Sequence, residues 1–159
     1  RDSGCPSSQI QTFIPSCPPE TSRRAAFAGK STSTLTHWPV QIRLVPPTAP
    51  FLKGADLLVA ADCTPVAYPS FHRDFLEDKA VMVGCPKFDD IQEYVDKFAE
   101  IFRVADIKTV TVVDMEVPCC SALPKIVKKG MNVAGRHIPL EEVVISTRGD
   151  ILRRERLAA

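Results

Sequence analysis

From Leu35 onward the chain alternates between short apolar runs and longer stretches in which apolar residues fall three or four positions apart. Val40-Gln41-Ile42-Arg43-Leu44-Val45 switches between apolar and polar residues, which predicts a half-buried strand. Pro46, Pro47 and Pro50 end it, with a short turn of helix expected near Ala49 to Lys53. Leu57 to Ala61, Ala80 to Gly84 and Val110 to Val113 are continuous apolar runs, the form of central strands buried on both faces. Leu140 to Ile145 reads as a final strand. Between these runs the period changes. A helix is predicted from Asp89, whose side chain caps it while Gln92 reaches back, with Ile91, Tyr94, Val95, Phe98, Ile101 and Phe102 on one stripe. Ser121 reads as the cap of a second helix that turns Leu123, Ile126, Val127 and Met131 inward and stops at Gly135. Ser70 to Leu76 fits a shorter helix.

Strands alternating with helices of this length imply βαβ crossovers and a mostly parallel sheet. The expected architecture is α/β, a single three-layer domain with Rossmann- or flavodoxin-like alternation. Residues 1–34, with Pro6, Pro15, Pro18, Pro19 and many serines, read as an extended arm or linker. Residues 35–150 form the domain, and 151–159, with Arg153-Arg154-Glu155-Arg156, read as a solvated tail. A chain of 159 residues can bury its own core. A net charge of +1 argues against nucleic acid or an anionic membrane as the main partner. No apolar run nears the roughly 20 residues that span a bilayer. The start, Arg1-Asp2-Ser3-Gly4-Cys5-Pro6, has neither Met nor a signal-peptide core, and the chain reads as cut from something longer.

The six cysteines carry the chemistry. Cys63, Cys85 and the Cys119-Cys120 pair each follow a strand-like run, an arrangement unlike a disulfide framework and suited to a reduced, cytoplasmic protein. In a parallel sheet those strand ends share one edge, where ligands bind. A helix start after each favours thiolate over thiol. Four soft thiolates suit zinc or an iron–sulfur cluster. The plain alternative is that each cysteine simply packs, as free cysteines commonly do. Neighbouring side chains point apart, so Cys119 and Cys120 serve one small ion poorly. Cys5 is the reserve ligand if the arm folds back, and Cys17 is the bystander. His37, His72 and His137 read as surface or hydrogen-bonded histidines, and Asp62 and Asp114 as helix caps. There is no GxGxxG, P-loop, GxSxG or HExxH motif.

Thr36-His37-Trp38-Pro39-Val40-Gln41, Ala61-Asp62-Cys63, Gly84-Cys85-Pro86-Lys87 and Val117-Pro118-Cys119-Cys120, introduced by Gly4-Cys5-Pro6-Ser7, together resemble the carboxyl-terminal domain of ferredoxin-like iron–sulfur proteins of anaerobic microbes. Ser121 stands where such proteins often carry Gly, and their module of clustered CxxCxxC motifs is missing. The resemblance implies a redox setting and favours a 4Fe-4S cluster over zinc.

Three readings follow. In the first, Cys63, Cys85, Cys119 and Cys120, with Cys5 as substitute, hold an iron–sulfur cluster that exchanges electrons with a ferredoxin module or another redox partner protein. In the second, Cys119 or Cys85 is an activated nucleophile and another cysteine resolves it as a disulfide. In the third, zinc or plain buried cysteines stabilise an interaction module.

Overall fold

The computed structural model describes residues 5–14 and 32–158, so Cys17 lies outside the described residues. The apolar runs form the centre of a five-stranded sheet. Its strands are β3 (Asp56–Ala61), β4 (Ala80–Gly84), β5 (Thr109–Met115), β6 (Leu140–Ile145) and β7 (Ile151–Leu157), arranged β4-β3-β5-β6-β7. A separate two-stranded ribbon pairs β1 (Gln11–Thr12) with β2 (His37–Trp38). The first four strands of the large sheet run parallel and β7 runs antiparallel to β6. The expected three-layer α/β architecture is present.

Helix α2 (Ile91–Val104) returns the chain from β4 to β5, and α3 (Leu123–Ala134) from β5 to β6. Right-handed crossovers put these two on one face and the segment between β3 and β4 on the other. That segment holds the short α1 (Thr64–Ala67) and a wide helical turn at His72–Leu76. The two long helices pack along each other, with Gly130 of α3 against Phe98 of α2. Tyr94, Val95, Phe98, Ile101 and Phe102 are buried as the stripe requires, whereas Ile91 is exposed. The cap of α2 is Asp90, not Asp89. Its carboxylate accepts from the Gln92 and Glu93 N–H groups at 2.7 and 3.0 Å. Gly135 ends α3 with φ 66°, a left-handed conformation that glycine adopts without penalty.

Two expected elements differ. Val40 to Val45 is a turn, not a strand: the Leu44 and Val45 N–H groups both bond back to the Gln41 carbonyl. Val40, Ile42 and Leu44 give the alternation, but the turn buries Ile42 with Val45, three apart, and leaves Leu44 exposed. What remains of a strand is a single bridge from Gln41 to Val83 on β4. Residues 151–157, expected as tail, form β7. A turn reverses the chain after β6, with Ser146 N–H on the Asp150 carbonyl and Ser146 Oγ accepting from the Arg148 and Asp150 N–H groups. Its side chains stay solvated, and Arg154 reaches over the Phe75 ring.

The outer side of β4 is covered by residues 37–42. His37 is fully buried, stacks on Phe51 and accepts the Val81 N–H at Nε2 (2.9 Å). Its Nδ1–H then donates to the Pro39 carbonyl. Val83 N–H donates to the Val40 carbonyl, and Ile42 N–H to the Val83 carbonyl. Burial lowers the His37 pKa to about 4, so the ring is neutral at ordinary pH.

Candidate functional site

The chain leaves β3 toward β4 on one side and returns through α2 to β5 on the other, so the strand order reverses between β3 and β5. Ligands of open α/β sheets bind outside the carboxyl ends of strands at such a point. Asp62 and Cys63 follow β3, Cys85 follows β4, and Glu116 to Cys120 follow β5.

The edge has two halves. On the β4 side, Cys85 is buried, and its N–H donates to the Tyr94 hydroxyl at 3.1 Å. That hydroxyl donates in turn to Asp89, which Arg43 approaches at 3.7 Å. Burial, reinforced by the bond to Asp89, raises the Tyr94 pKa and keeps it a phenol. Partial burial and the Asp89 charge hold the Asp62 carboxyl above its usual range. Cys63 is exposed at the start of α1.

On the β5 side, Cys119 is half-buried and Cys120 is 3% exposed. They are neighbours in the chain, and the Cys119 thiol acts on the Cys120 thiol electrostatically. Burial pushes the Cys120 thiol up to about 11, the neighbouring Cys119 and Asp114 add to this, and a backbone bond from Met115 opposes it. Asp114 is only 2% exposed, and among the described residues its Oδ1 has no hydrogen-bond partner. Burial, then the charge of Glu142, pushes its carboxyl up to about 7 against the pull of Arg153. Glu142 accepts from Arg153 Nη2 at 3.0 Å. A cleft of about 400 Å³ opens over Asp114, Glu142 and Arg153, and its wall includes Pro118 and Ser121, which flank the cysteine pair in sequence.

The predicted convergence of Cys63, Cys85, Cys119 and Cys120 stops at the shared edge. Among the described residues no three His, Cys, Asp or Glu side chains stand close enough together to hold one metal ion. Cys5 is exposed, its thiol 2.9 Å from Ser7 Oγ, in a segment tied to Trp38 by the indole N–H on the Ser7 carbonyl. His37 is hydrogen-bonded within the fold, His72 Nδ1 accepts from Thr34 N–H, and His137 is exposed. Asp114 is not a cap. The residue before α3 is Ala122, and Ser121 Oγ donates to the Pro118 carbonyl instead of capping. The Asp114, Glu142 and Arg153 group was missed in sequence. Its one signal was a carboxylate closing an otherwise apolar strand.

The model of a Rossmann-like domain matches residues 49–159. The chain belongs to the Rossmann-like domain family. It is also 38% identical over 115 residues to an uncharacterised protein of Archaeoglobus fulgidus, across 72% of this chain and 81% of the relative. No solved structure matches. The family match overturns the expected kinship with ferredoxin-like iron–sulfur proteins, and with it the description as a metal-binding electron carrier. The cysteine-proline turns that suggested that kinship sit where any Rossmann-like sheet turns from strand into helix. Among the described residues no helix is long and apolar enough to cross a membrane.

Proposed function

We propose that this Rossmann-like domain is a thiol–disulfide redox protein whose working pair is Cys119 and Cys120. The observation that carries the reading is the pairing of a half-buried and a buried thiol on adjacent residues just past the carboxyl end of β5, with the Asp114 carboxyl acting on the buried one. Cys119 is the accessible member and attacks first. Its thiolate displaces one sulfur of an incoming disulfide, which leaves as a thiolate and takes up a proton. Cys120 then resolves the mixed disulfide. With its thiol pushed up to about 11 it needs a base, and Asp114, with a carboxyl near 7, is the group at hand. Cys120 attacks the Cys119 sulfur, its proton passes to Asp114, and the second thiol departs. Two protein thiols lose two electrons and two protons, and one disulfide is reduced to two thiols.

A disulfide between adjacent residues closes a tight ring, and strained disulfides are the easily reduced ones. The pair therefore suits reversible exchange better than structural crosslinking. Cys85, the other candidate nucleophile, is more enclosed than Cys119.

The test is oxidation of the reduced protein with a small disulfide, followed by alkylation of free thiols and peptide mapping. The expected product links Cys119 to Cys120 and leaves Cys63 and Cys85 alkylatable after unfolding. Cys120→Ser should trap the mixed disulfide on Cys119, and Cys119→Ser should block the reaction. Oxidation that joins other cysteines, or that proceeds normally in Cys119→Ser, would overturn the assignment.

A further inference from the structure

We propose that the cleft over Asp114 and Glu142 selects low-molecular-weight disulfides that carry an ammonium group, an inference that rests on the thiol-redox reading and names its substrate class. A cleft of about 400 Å³ is the size of a small-molecule site. Asp114 lines it, and among the described residues its buried Oδ1 has no hydrogen-bond partner. Leaving such an atom unmatched is costly, and a ligand N–H donor would satisfy it. Glu116 and Glu142 line the same cleft, opposed there only by Arg153, whose guanidinium is already engaged by Glu142. Three carboxyl groups against one cation favour a positively charged ligand over a neutral or anionic one.

The position of the cleft ties recognition to reaction. Pro118 and Ser121, which flank the cysteine pair in sequence, form part of its wall. An ammonium group settled against Asp114 leaves the rest of a short disulfide to extend past Pro118 and Ser121, the sequence neighbours of the cysteine pair.

The experiment measures oxidation of the reduced full chain at neutral pH by cystamine, bis(2-hydroxyethyl) disulfide and dithiodiglycolate, which are cationic, neutral and anionic. Each rate is divided by that of the same reagent with N-acetylcysteine, to remove intrinsic reactivity. The expected normalised rate for cystamine is on the order of tenfold above that for the neutral reagent, the scale of one hydrogen bond to a charged group. Dithiodiglycolate falls below both, and Glu142→Gln reduces the cystamine advantage. Equal normalised rates would overturn the substrate class and leave the redox pair standing. Should none of the three oxidise the pair, the redox reading itself fails. The cleft is then judged by amide NMR shifts on titration with hexamethylenediamine, which carries the charges and no disulfide. Saturable shifts at Asp114, Val144 and Ser121 support an ammonium site, and their absence overturns it.

Discussion

Replacing Asp114 by Asn should stabilise the protein by an amount that grows with pH. Burial beside Glu142 raises the Asp114 pKa from 3.8 to about 7, so the folded state keeps its proton longer than the unfolded one. The stability contribution is whole below 3.8, declines as pH rises through the folded value and is flat above it. A shift of this size corresponds to roughly 4 kcal/mol once the group is fully ionised in both states. At about pH 5 only about 1.5 kcal/mol of that has been lost, and by about pH 7.5 nearly all of it. Asn has the shape of the neutral acid and no charge, so its advantage should widen by about 2.5 kcal/mol between those two conditions. Urea unfolding of both proteins under reducing conditions reads this directly. With a slope of about 2 kcal/mol per molar urea, the midpoints should move apart by about 1 M. A separation that stays the same at every pH would refute the argument, because a packing change alone carries no proton linkage.

His37 should act in the opposite sense. Its pKa falls from 6.5 to about 4 on burial, so its contribution is whole above 6.5 and is lost as pH drops through about 4, by up to about 3 kcal/mol. In the Asp114→Asn background, where the opposing carboxyl is gone, thermal melts should show this acid slope, and His37→Gln should flatten it; an unchanged slope would contradict the assignment. Gly130→Ala places a Cβ 2.7 Å from Phe98 Cβ and 3.3 Å from the Ala99 nitrogen, so α2 and α3 must separate. The expected cost is about 1–3 kcal/mol, seen as a lowered Tm, whereas helix propensity alone would raise it.

The parts of the fold visible in sequence were those whose pattern arises from burial by their own neighbours. Leu57 to Ala61, Ala80 to Gly84 and Val110 to Val113 lie within the sheet, so an unbroken apolar run marks each of them. β7 escaped notice because its side chains stay in solvent and only its backbone pairs with β6, which leaves Arg153-Arg154-Glu155-Arg156 looking like a tail. The turn at Ile42 to Val45 imitated a strand because Val40, Ile42 and Leu44 alternate in sequence, although the turn buries Ile42 with Val45 and not with Leu44. The cysteine edge was legible as topology, since strand ends of a parallel sheet share a side. Distances were not, because how far Cys63 and Cys85 stand from Cys119 depends on turns that carry no periodic signal. Asp114 read as a cap because its burial comes from β6 and β7, one of which was unseen. The Pro-Cys turns were specific enough to suggest a family and too short to establish one.

The cover over β4 makes the sheet one-sided in its capacity to grow. Val81 and Val83 already spend their outward N–H groups on His37 and Val40, so no foreign strand can add there without first peeling that segment away. Growth is left to the far margin, where β7 carries three arginines and one glutamate in a row. A second copy laid against it would set one solvated, charged row beside another, a barrier to runaway polymerisation. Two unlike locks, one mechanical and one electrostatic, thus keep a flat, hydrogen-bonding surface from propagating into fibres.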